Sequence, residues 1–77
     1  MSTRELMRIA EVRRRFEVGE AKVLRIAAGL TVGEAAKAAN VSPTSLWRYE
    51  NGQRTPRPAQ ALEYARFLEQ LERGLKK

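Results

Sequence analysis

Residues 30–58 read LTVGEAAKAANVSPTSLWRYENGQRTPRP, the stretch of this chain with the clearest local signals. Thr31 and Glu34 have the spacing of a capping box, in which the hydroxyl accepts from the Glu34 N–H and the carboxylate accepts from the Thr31 N–H. This start predicts a helix over about residues 32–39. Asn40 follows where the chain needs a left-handed turn residue, a conformation that Asn tolerates better than most residues. The stretch therefore predicts a short helix, a tight turn and a second helix.

The second helix of this stretch has its own start and stop signals. Ser42 is a favourable N-cap, and Pro43 suits the first helical position because its missing N–H would have no helical partner there. Asn51 and Gly52 favour a turn, so this helix is expected to end at about residue 50. Helical spacing turns Val41, Leu46 and Tyr49 toward the core, and it turns Thr44, Trp47 and Arg48 outward.

Helical spacing also dominates the rest of the chain, and strand alternation is absent. Further helices are predicted over about residues 3–17, 20–28 and 58–73, with Gly74 ending the last one and residues 76–77 beyond it. The first two are either separate or parts of one bent helix, since a Gly inside a helix costs only about 1 kcal/mol. The expected core residues of these helices are Leu6, Ile9, Phe16, Val23, Leu24, Ile26, Ala27, Ala61, Leu62, Ala65, Leu68 and Leu71. For Leu6, Ile9 and Phe16 the alternative is a subunit interface. The sequence thus predicts an all-α fold with five helices.

The composition excludes several kinds of site. The chain has 77 residues, enough for one domain, with no Cys and no His. Disulfides and ordinary Cys/His zinc sites are excluded. Carboxylate-only metal binding stays open, but no clustered acidic loop supports it, so no metal or other cofactor is predicted. Catalysis has no support, because there is no His base, no Cys nucleophile and no glycine-rich phosphate loop. With no apolar run near the ~20 residues of a membrane span and no signal peptide, we expect a cytoplasmic protein that does not bind membranes. No small-molecule ligand is evident from the sequence.

The charge of the chain points to the kind of partner. Lys and Arg number 15 against 9 Asp and Glu, a formal charge of +6. Such an excess favours a polyanionic partner, although small soluble domains often carry a net charge of about 2–8 for solubility alone. The three arginines at residues 13–15 have the same two interpretations. They either bind a phosphate backbone or form a solvated helix face neutralised by Glu11, Glu17 and Glu20.

Four features of the sequence together resemble the lambda-repressor/Cro-like helix-turn-helix family, often called XRE-type regulators. They are Gly29-Leu30-Thr31 before the first motif helix, then Ala36, Asn40 and Val41, then Leu46-x-x-Tyr49-Glu50, and last Asn51-Gly52-x-Arg54-x-Pro56. The resemblance spans about residues 20–71. It implies a lambda-repressor-like DNA-binding domain at residues 19–77 and leaves residues 1–18 as an N-terminal helical extension with no inherited role.

The resemblance implies a DNA-binding surface on the second motif helix, residues 42–50, and on the loop after it. It implies that Thr44 and Arg48 contact bases, and the planar guanidinium of Arg48 suits guanine O6 and N7. The other residues implied to touch DNA are Ser42, Pro43, Ser45, Trp47, Asn51 through its N–H, Gln53, Arg54 and Arg57. For Trp47, the alternative to covering a thymine methyl or a sugar-phosphate edge is packing against Pro56 or the last helix.

The resemblance also implies a structural ion pair. Family members often bury an Arg of the first motif-domain helix against the Glu that follows the recognition helix, and these positions hold Arg25 and Glu50 in this chain. If the two pair, Glu50 does not repel DNA. Breaking such a pair by removing one partner typically costs about 3–5 kcal/mol.

The implied function is sequence-specific binding of double-stranded DNA by a small phage or bacterial transcriptional regulator, a repressor or a Cro-like protein. Related roles as an antitoxin or an excision factor stay open. A different class also stays open, a protein-interaction module on the same scaffold that docks through Trp47 and residues 71–75. A homodimer would suit two half-sites, with Leu68, Leu71 and Leu75 at a two-fold interface.

Overall fold

The computed structural model describes residues 1–75, which form five α-helices and no strand. The helices are α1 (Thr3–Glu17), α2 (Glu20–Ala27), α3 (Val32–Ala38), α4 (Pro43–Glu50) and α5 (Pro58–Leu75). This confirms the prediction of an all-α, five-helix fold. Gly19, with φ at 82°, stands between α1 and α2, so the two are separate helices.

Two of the helices begin with a capping box. At α3, the Glu34 N–H donates to Thr31 Oγ1 at 3.1 Å, and the Thr31 N–H donates to Glu34 Oε1 at 2.9 Å. Ser2 and Glu5 make the same two bonds at the start of α1, both at 3.1 Å. Each box satisfies N–H groups that have no partner within the helix, so the local sequence decides where these helices begin.

Helices α2, α3 and α4 end in the same backbone motif. The residue after each C-cap is left-handed: Gly29 has φ at 75°, Asn40 at 57° and Gly52 at 73°. The N–H of the next residue then donates back to the helix, as from Val41 to Ala36 O at 2.9 Å. This is the Schellman motif, which satisfies the last carbonyls of a helix. Asn40 is the only non-glycine residue of residues 1–75 with a positive φ, as its place in the turn predicted.

Three predicted helix ends need correction. Helices α2 and α3 each end one residue earlier than predicted, and the alanines at the predicted ends serve as C-caps. Gly74 does not end α5, which continues through it to Leu75. A glycine lowers helix stability by only about 1 kcal/mol and does not by itself stop a helix. The prediction for residues 76–77 lies outside the described residues.

The core draws on all five helices and is centred on packing between α1 and α5. Four aromatic rings meet there, with centroid distances of 4.8 Å for Phe16–Tyr64, 5.2 Å for Tyr64–Phe67 and 5.5 Å for Phe16–Tyr49. The other buried apolar residues are Ile9, Val12, Ala21, Ala35, Ala36, Ala39, Leu46, Ala61, Ala65 and Leu68. Since α1 supplies part of this core, it packs as an integral layer of the fold.

Four residues predicted to be in the core are on the surface, namely Leu6 (54% exposed), Val23 (64%), Ile26 (57%) and the smaller Ala27. The inward face of α2 instead contains Ala21 and Arg25, with Leu24 partly buried beside them. Hydrophobicity alone would place an arginine outside. Arg25 lies inside because it pairs with Glu50, and this pairing turns the apolar face of α2 away from the core.

Two of the three consecutive arginines of α1 pair with acidic side chains. Arg14 lies 2.6 Å from a Glu11 oxygen. Arg15 is buried and lies 2.9 Å from both Glu20 and Glu72. Of the two interpretations of this arginine run, neutralisation by acidic neighbours therefore applies to Arg14 and Arg15.

Candidate nucleic-acid interface

The outer face of α4, which comprises Thr44, Trp47 and Arg48, is exposed to solvent. Trp47 and Arg48 come three and four positions after Thr44, so both are neighbours of Thr44 on one helix surface. The opposite surface of α4 buries Leu46 and Tyr49, which fixes the rotation of the helix. Core packing therefore presents the outer face, and Pro43 at its start is exposed as well.

The start of α4 is held by two serines. Ser42 Oγ accepts from the Ser45 N–H at 3.0 Å, and the two hydroxyl oxygens are 2.8 Å apart. These bonds use part of the hydrogen-bonding capacity that was expected to reach phosphates. Ser45 keeps a hydroxyl hydrogen for an external acceptor, because Ser42 is the donor between the two hydroxyls.

Trp47 is 47% exposed and is absent from the ring contacts of the aromatic cluster. Its carbonyl oxygen accepts from the Asn51 N–H at 3.0 Å and from Asn51 Nδ2 at 2.8 Å. The Asn51 N–H, expected to meet the DNA backbone, is therefore already bonded within the protein. The Asn51 side chain keeps its amide oxygen and one of its two N–H groups for an external partner.

The α4–α5 loop, residues 51–57, carries two exposed cations. Across residues 1–75, the side chains of Arg54 and Arg57 form no ion pair and no hydrogen bond, and the same holds for the Arg48 side chain on α4. Gln53 is exposed too, with its N–H bonded to Arg48 O at 2.9 Å. The side of the molecule around α4 thus presents positive charges with no acidic partner.

A polar groove runs between the start of α4 and the loop. It is lined by Ser42, Ser45, Arg54, Thr55, Arg57 and Gln60, among others. Four of these residues were candidates from the sequence, and the fold brings them together although they come from separate elements. Thr55 and Gln60 were missed, because neither belongs to a motif that the sequence analysis used. Hydroxyl, amide and guanidinium donors together suit a phosphate.

The remaining candidates lie outside the polar groove. They are Pro43, Thr44, Trp47, Arg48, Asn51 and Gln53. The interface therefore has two main parts, the outer face of α4 and the polar groove beside it, and Asn51 and Gln53 are exposed in the loop outside both.

Arg25 and Glu50 form a buried ion pair between α2 and the end of α4. Arg25 Nε donates to Glu50 Oε2 at 2.7 Å and Nη2 donates to Oε1 at 2.9 Å. The Glu50 side chain is 1% exposed, and Arg25 also donates to Leu30 O at 2.8 Å. The hydrogen bonds to Glu50 raise the pKa of Arg25 above its usual value. The pair holds α4 in place and removes its acidic charge from the interface.

The hydroxyl of Tyr64 lies in the core near this ion pair. It is fully buried and has no hydrogen-bond partner among the described residues. Burial raises the pKa of Tyr64 well above its usual value, and the charge of Glu50 acts in the same direction. Tyr64 therefore stays a neutral phenol.

No group of three or more His, Cys, Asp or Glu in the described part of the chain is arranged to hold a metal ion. None of the helices in that part combines the length and apolar character needed to cross a membrane.

Comparison with known protein families agrees with this geometry. A family model described as a helix-turn-helix domain matches residues 18–75, which is most of the chain. The protein therefore belongs to the helix-turn-helix domain family, consistent with the lambda-repressor-like resemblance of its motif. No curated protein and no solved structure matches the chain. Helix α1 ends at Glu17 and lies entirely outside the matched residues, and the division of the chain at residue 18 stays a prediction.

Proposed function

We propose that this protein binds double-stranded DNA at specific sequences, with α4 in the major groove, and regulates transcription. The outer face of α4 carries the proposal, because Thr44, Trp47 and Arg48 are exposed together while the opposite surface is packed. An α-helix fits the major groove, where each base pair presents a distinct pattern of donors and acceptors.

The three side chains of the outer face have separate roles in this proposal. Arg48 binds guanine O6 and N7 through its two-pronged guanidinium, and it has no acidic partner within residues 1–75 to compete. Thr44 bonds a base through its hydroxyl or contacts a thymine methyl. Trp47 supplies an apolar surface of the kind that thymine methyl groups contact.

The polar groove is proposed to bind the DNA backbone. Arg54 and Arg57 neutralise phosphates there, while Ser45 and Gln60 donate hydrogen bonds. In the first turn of α4, Pro43 has no N–H and the Ser45 N–H is bonded to Ser42 Oγ, so the Thr44 N–H is the one left to favour the same anion. Such contacts set the position of the protein on the duplex, and the outer face of α4 supplies the sequence preference.

Among regulators we favour a repressor or Cro-like protein of a phage or a bacterium, acting in the cytoplasm. Occupancy of an operator is enough to block transcription, and the two-part interface of α4 and the polar groove provides occupancy without catalysis. Roles as an excision factor or an antitoxin would use the same DNA contacts.

A salt series tests this function against the rival class of a protein-interaction module. The affinity for random duplex DNA should fall steeply, with log K decreasing by about 0.9 per phosphate contacted for each log unit of salt. Arg54→Ala should reduce this slope by about 0.9 on every sequence. The matched control is Arg66→Ala on α5, whose charge lies 3.7 Å from Glu63 and which should leave the slope unchanged. A wild-type chain that binds no DNA even at low salt would exclude the proposal and favour the interaction module.

A further inference from the structure

Arg14 and Arg15 of α1 pair with carboxylates, whereas Arg13 bonds a backbone carbonyl of the α4–α5 loop. Its Nε and Nη2 both donate to the carbonyl oxygen of Pro56, at 3.1 and 3.0 Å. The two residues are 43 positions apart, and Arg13 is half-buried. A guanidinium thus bonds the backbone of the α4–α5 loop between Arg54 and Arg57.

The loop has few other backbone bonds at this point. In the part of the chain that the structure describes, no backbone–backbone hydrogen bond involves Arg54, Thr55 or Pro56. The bonds on either side are Gln53 N–H to Arg48 O and Ala61 N–H to Arg57 O. Pro56 has no N–H to offer, although its ring is fully buried. The bonds from Arg13 are therefore the polar contact that fixes the middle of the loop.

The position of this contact connects α1 to the proposed interface. Arg54 lies two residues before Pro56 and Arg57 lies one residue after it, and both line the polar groove. A second groove, between α1 and the loop, is lined by Arg13, Phe16, Pro56 and again Arg54. Since Pro56 lies between the two arginines in the chain, we expect a change in its carbonyl position to move both of them relative to α4.

We propose that Arg13 is a positioning residue for DNA binding, which holds Arg54 and Arg57 in the place where they meet phosphates. This inference rests on the proposed function. It assigns a role to α1, which lies entirely outside the residues that match the family model. A fixed loop binds without losing chain entropy at that moment, whereas a loose loop must first be ordered.

The test is a double-mutant cycle on the full chain, measured as affinity for duplex DNA over a salt series. Arg13→Met should weaken binding by about tenfold, the equivalent of a hydrogen bond to a charged group, and should flatten the salt slope by about 1. In a chain that already carries Arg54→Ala and Arg57→Ala, adding Arg13→Met should change neither quantity, because there is no charge left to position. Arg14→Met is the matched control, since it removes the same charge from the next residue of the same helix.

Two outcomes of the cycle would overturn the inference. Equal losses with and without Arg54 and Arg57 would mean that Arg13 touches DNA directly or acts through its charge. A loss no larger than that of Arg14→Met would mean that the loop needs no such contact. If Arg13→Met does not fold, Arg13→Lys replaces it, because a lysine keeps the charge but cannot form the two-pronged bond.

A second readout needs no DNA and separates this inference from the proposed function. Backbone NMR order parameters of Arg54, Thr55 and Arg57 should fall from about 0.85, a rigid value, to below about 0.6 in Arg13→Met, and Arg14→Met should leave them unchanged. Unchanged order in Arg13→Met would overturn the role of Arg13 whatever the chain binds. A loosened loop in a protein that binds no DNA would instead refute the proposed function while the contact itself stands.

Discussion

At the scale of single residues, burial and pairing separate the side chains that hold the fold from those open to a partner. Arg25 and Arg48 have the same side chain, yet one is buried against Glu50 and the other is exposed with no partner in residues 1–75. Helix geometry determines this difference, because Arg25 faces the core and Arg48 faces outward. The exposed one is the candidate for base recognition.

We expect Arg48→Ala to cost about 1–3 kcal/mol on the preferred DNA site and to relax the preference at one base position. The reason is that a bidentate contact to guanine distinguishes it from the other bases. Selection of bound sequences from a random DNA pool, done with both proteins, measures the change. If the two selections returned the same sequence preference, Arg48 would have no part in base recognition. Arg66→Ala serves as the control for lost charge.

Tyr64→Phe should leave the stability of the protein unchanged or raise it by about 1 kcal/mol. The substitution removes a buried hydroxyl that has no partner among the described residues and keeps the ring in the aromatic cluster. Urea unfolding followed by circular dichroism checks this. Tyr49→Phe is the matched control, since Tyr49 lines the open polar groove. A loss above about 1 kcal/mol in Tyr64→Phe alone would indicate a hydrogen bond to this hydroxyl.

At the scale of helices, the local sequence predicts where a helix begins and ends better than it predicts which side of the helix faces the core. Thr31, Asn40 and Ser42 act within a few residues of themselves, so the sequence predicted the turn between α3 and α4 correctly. Hydrophobic spacing wrongly placed Val23 and Ile26 of α2 inward, because the inward face depends on the bond between Arg25 and Glu50, a pair that the family resemblance had implied. Hydrophobic spacing does not contain that information.

Breaking the Arg25–Glu50 pair from one side should destabilise the protein strongly. Arg25→Met leaves a carboxylate that is 1% exposed without its partner, which should cost about 3–5 kcal/mol. The double variant Arg25→Met/Glu50→Met should recover most of this loss, since apolar replacements of both ions are often neutral. Equal losses in the single and double variants would show that packing, and not the unpaired charge, dominates. Denaturant unfolding measures all three.

The capping box of α3 should make stability depend on acid pH. Hydrogen bonds from Thr31 hold the pKa of Glu34 below its usual value of 4.5. A carboxyl with a lowered folded-state pKa stabilises the fold above its unfolded pKa, and this contribution is lost as the pH falls through the folded pKa. The stability of Glu34→Gln should therefore decline less below about pH 4.5, because Gln keeps an acceptor that does not titrate.

Unfolding curves between pH 7 and pH 2 test this dependence. Glu17→Gln is the control, since Glu17 belongs to neither capping box. Identical pH profiles for wild type and Glu34→Gln would contradict the assignment.

At the scale of the whole molecule, size limits the length of DNA that one copy can cover. The principal extents are 33 × 29 × 22 Å, and one turn of B-DNA is about 34 Å long. We expect each copy to protect about one turn. A palindromic sequence from the random pool, with half-sites about 10–10.5 base pairs apart, would show that two copies bind together.

Footprinting and sedimentation with short duplexes measure the protected length and the number of copies. Protection of much more than one turn by a single copy would contradict the limit that the molecular extents set. A duplex that contains only one of the two half-sites is the control, since it should bind one copy only.

The candidate interface was predictable from the sequence only in part. Helical spacing predicts the exposure of Thr44, Trp47 and Arg48, because the residues that face the core also determine which residues face outward. The polar groove and the bond from Arg13 to Pro56 depend on how distant elements meet in space. From charge and spacing, Arg13 is one of three similar arginines. Only the fold shows that it alone of the three bonds the Pro56 carbonyl.

The exposure of Trp47 also has a practical consequence. It is the only tryptophan of the chain, and its indole lies on the outer face of α4, away from the aromatic cluster. Its fluorescence is therefore an intrinsic reporter of docking. A duplex that covers the ring should change the wavelength and intensity of the emission, so that affinity can be followed by titration without any attached dye.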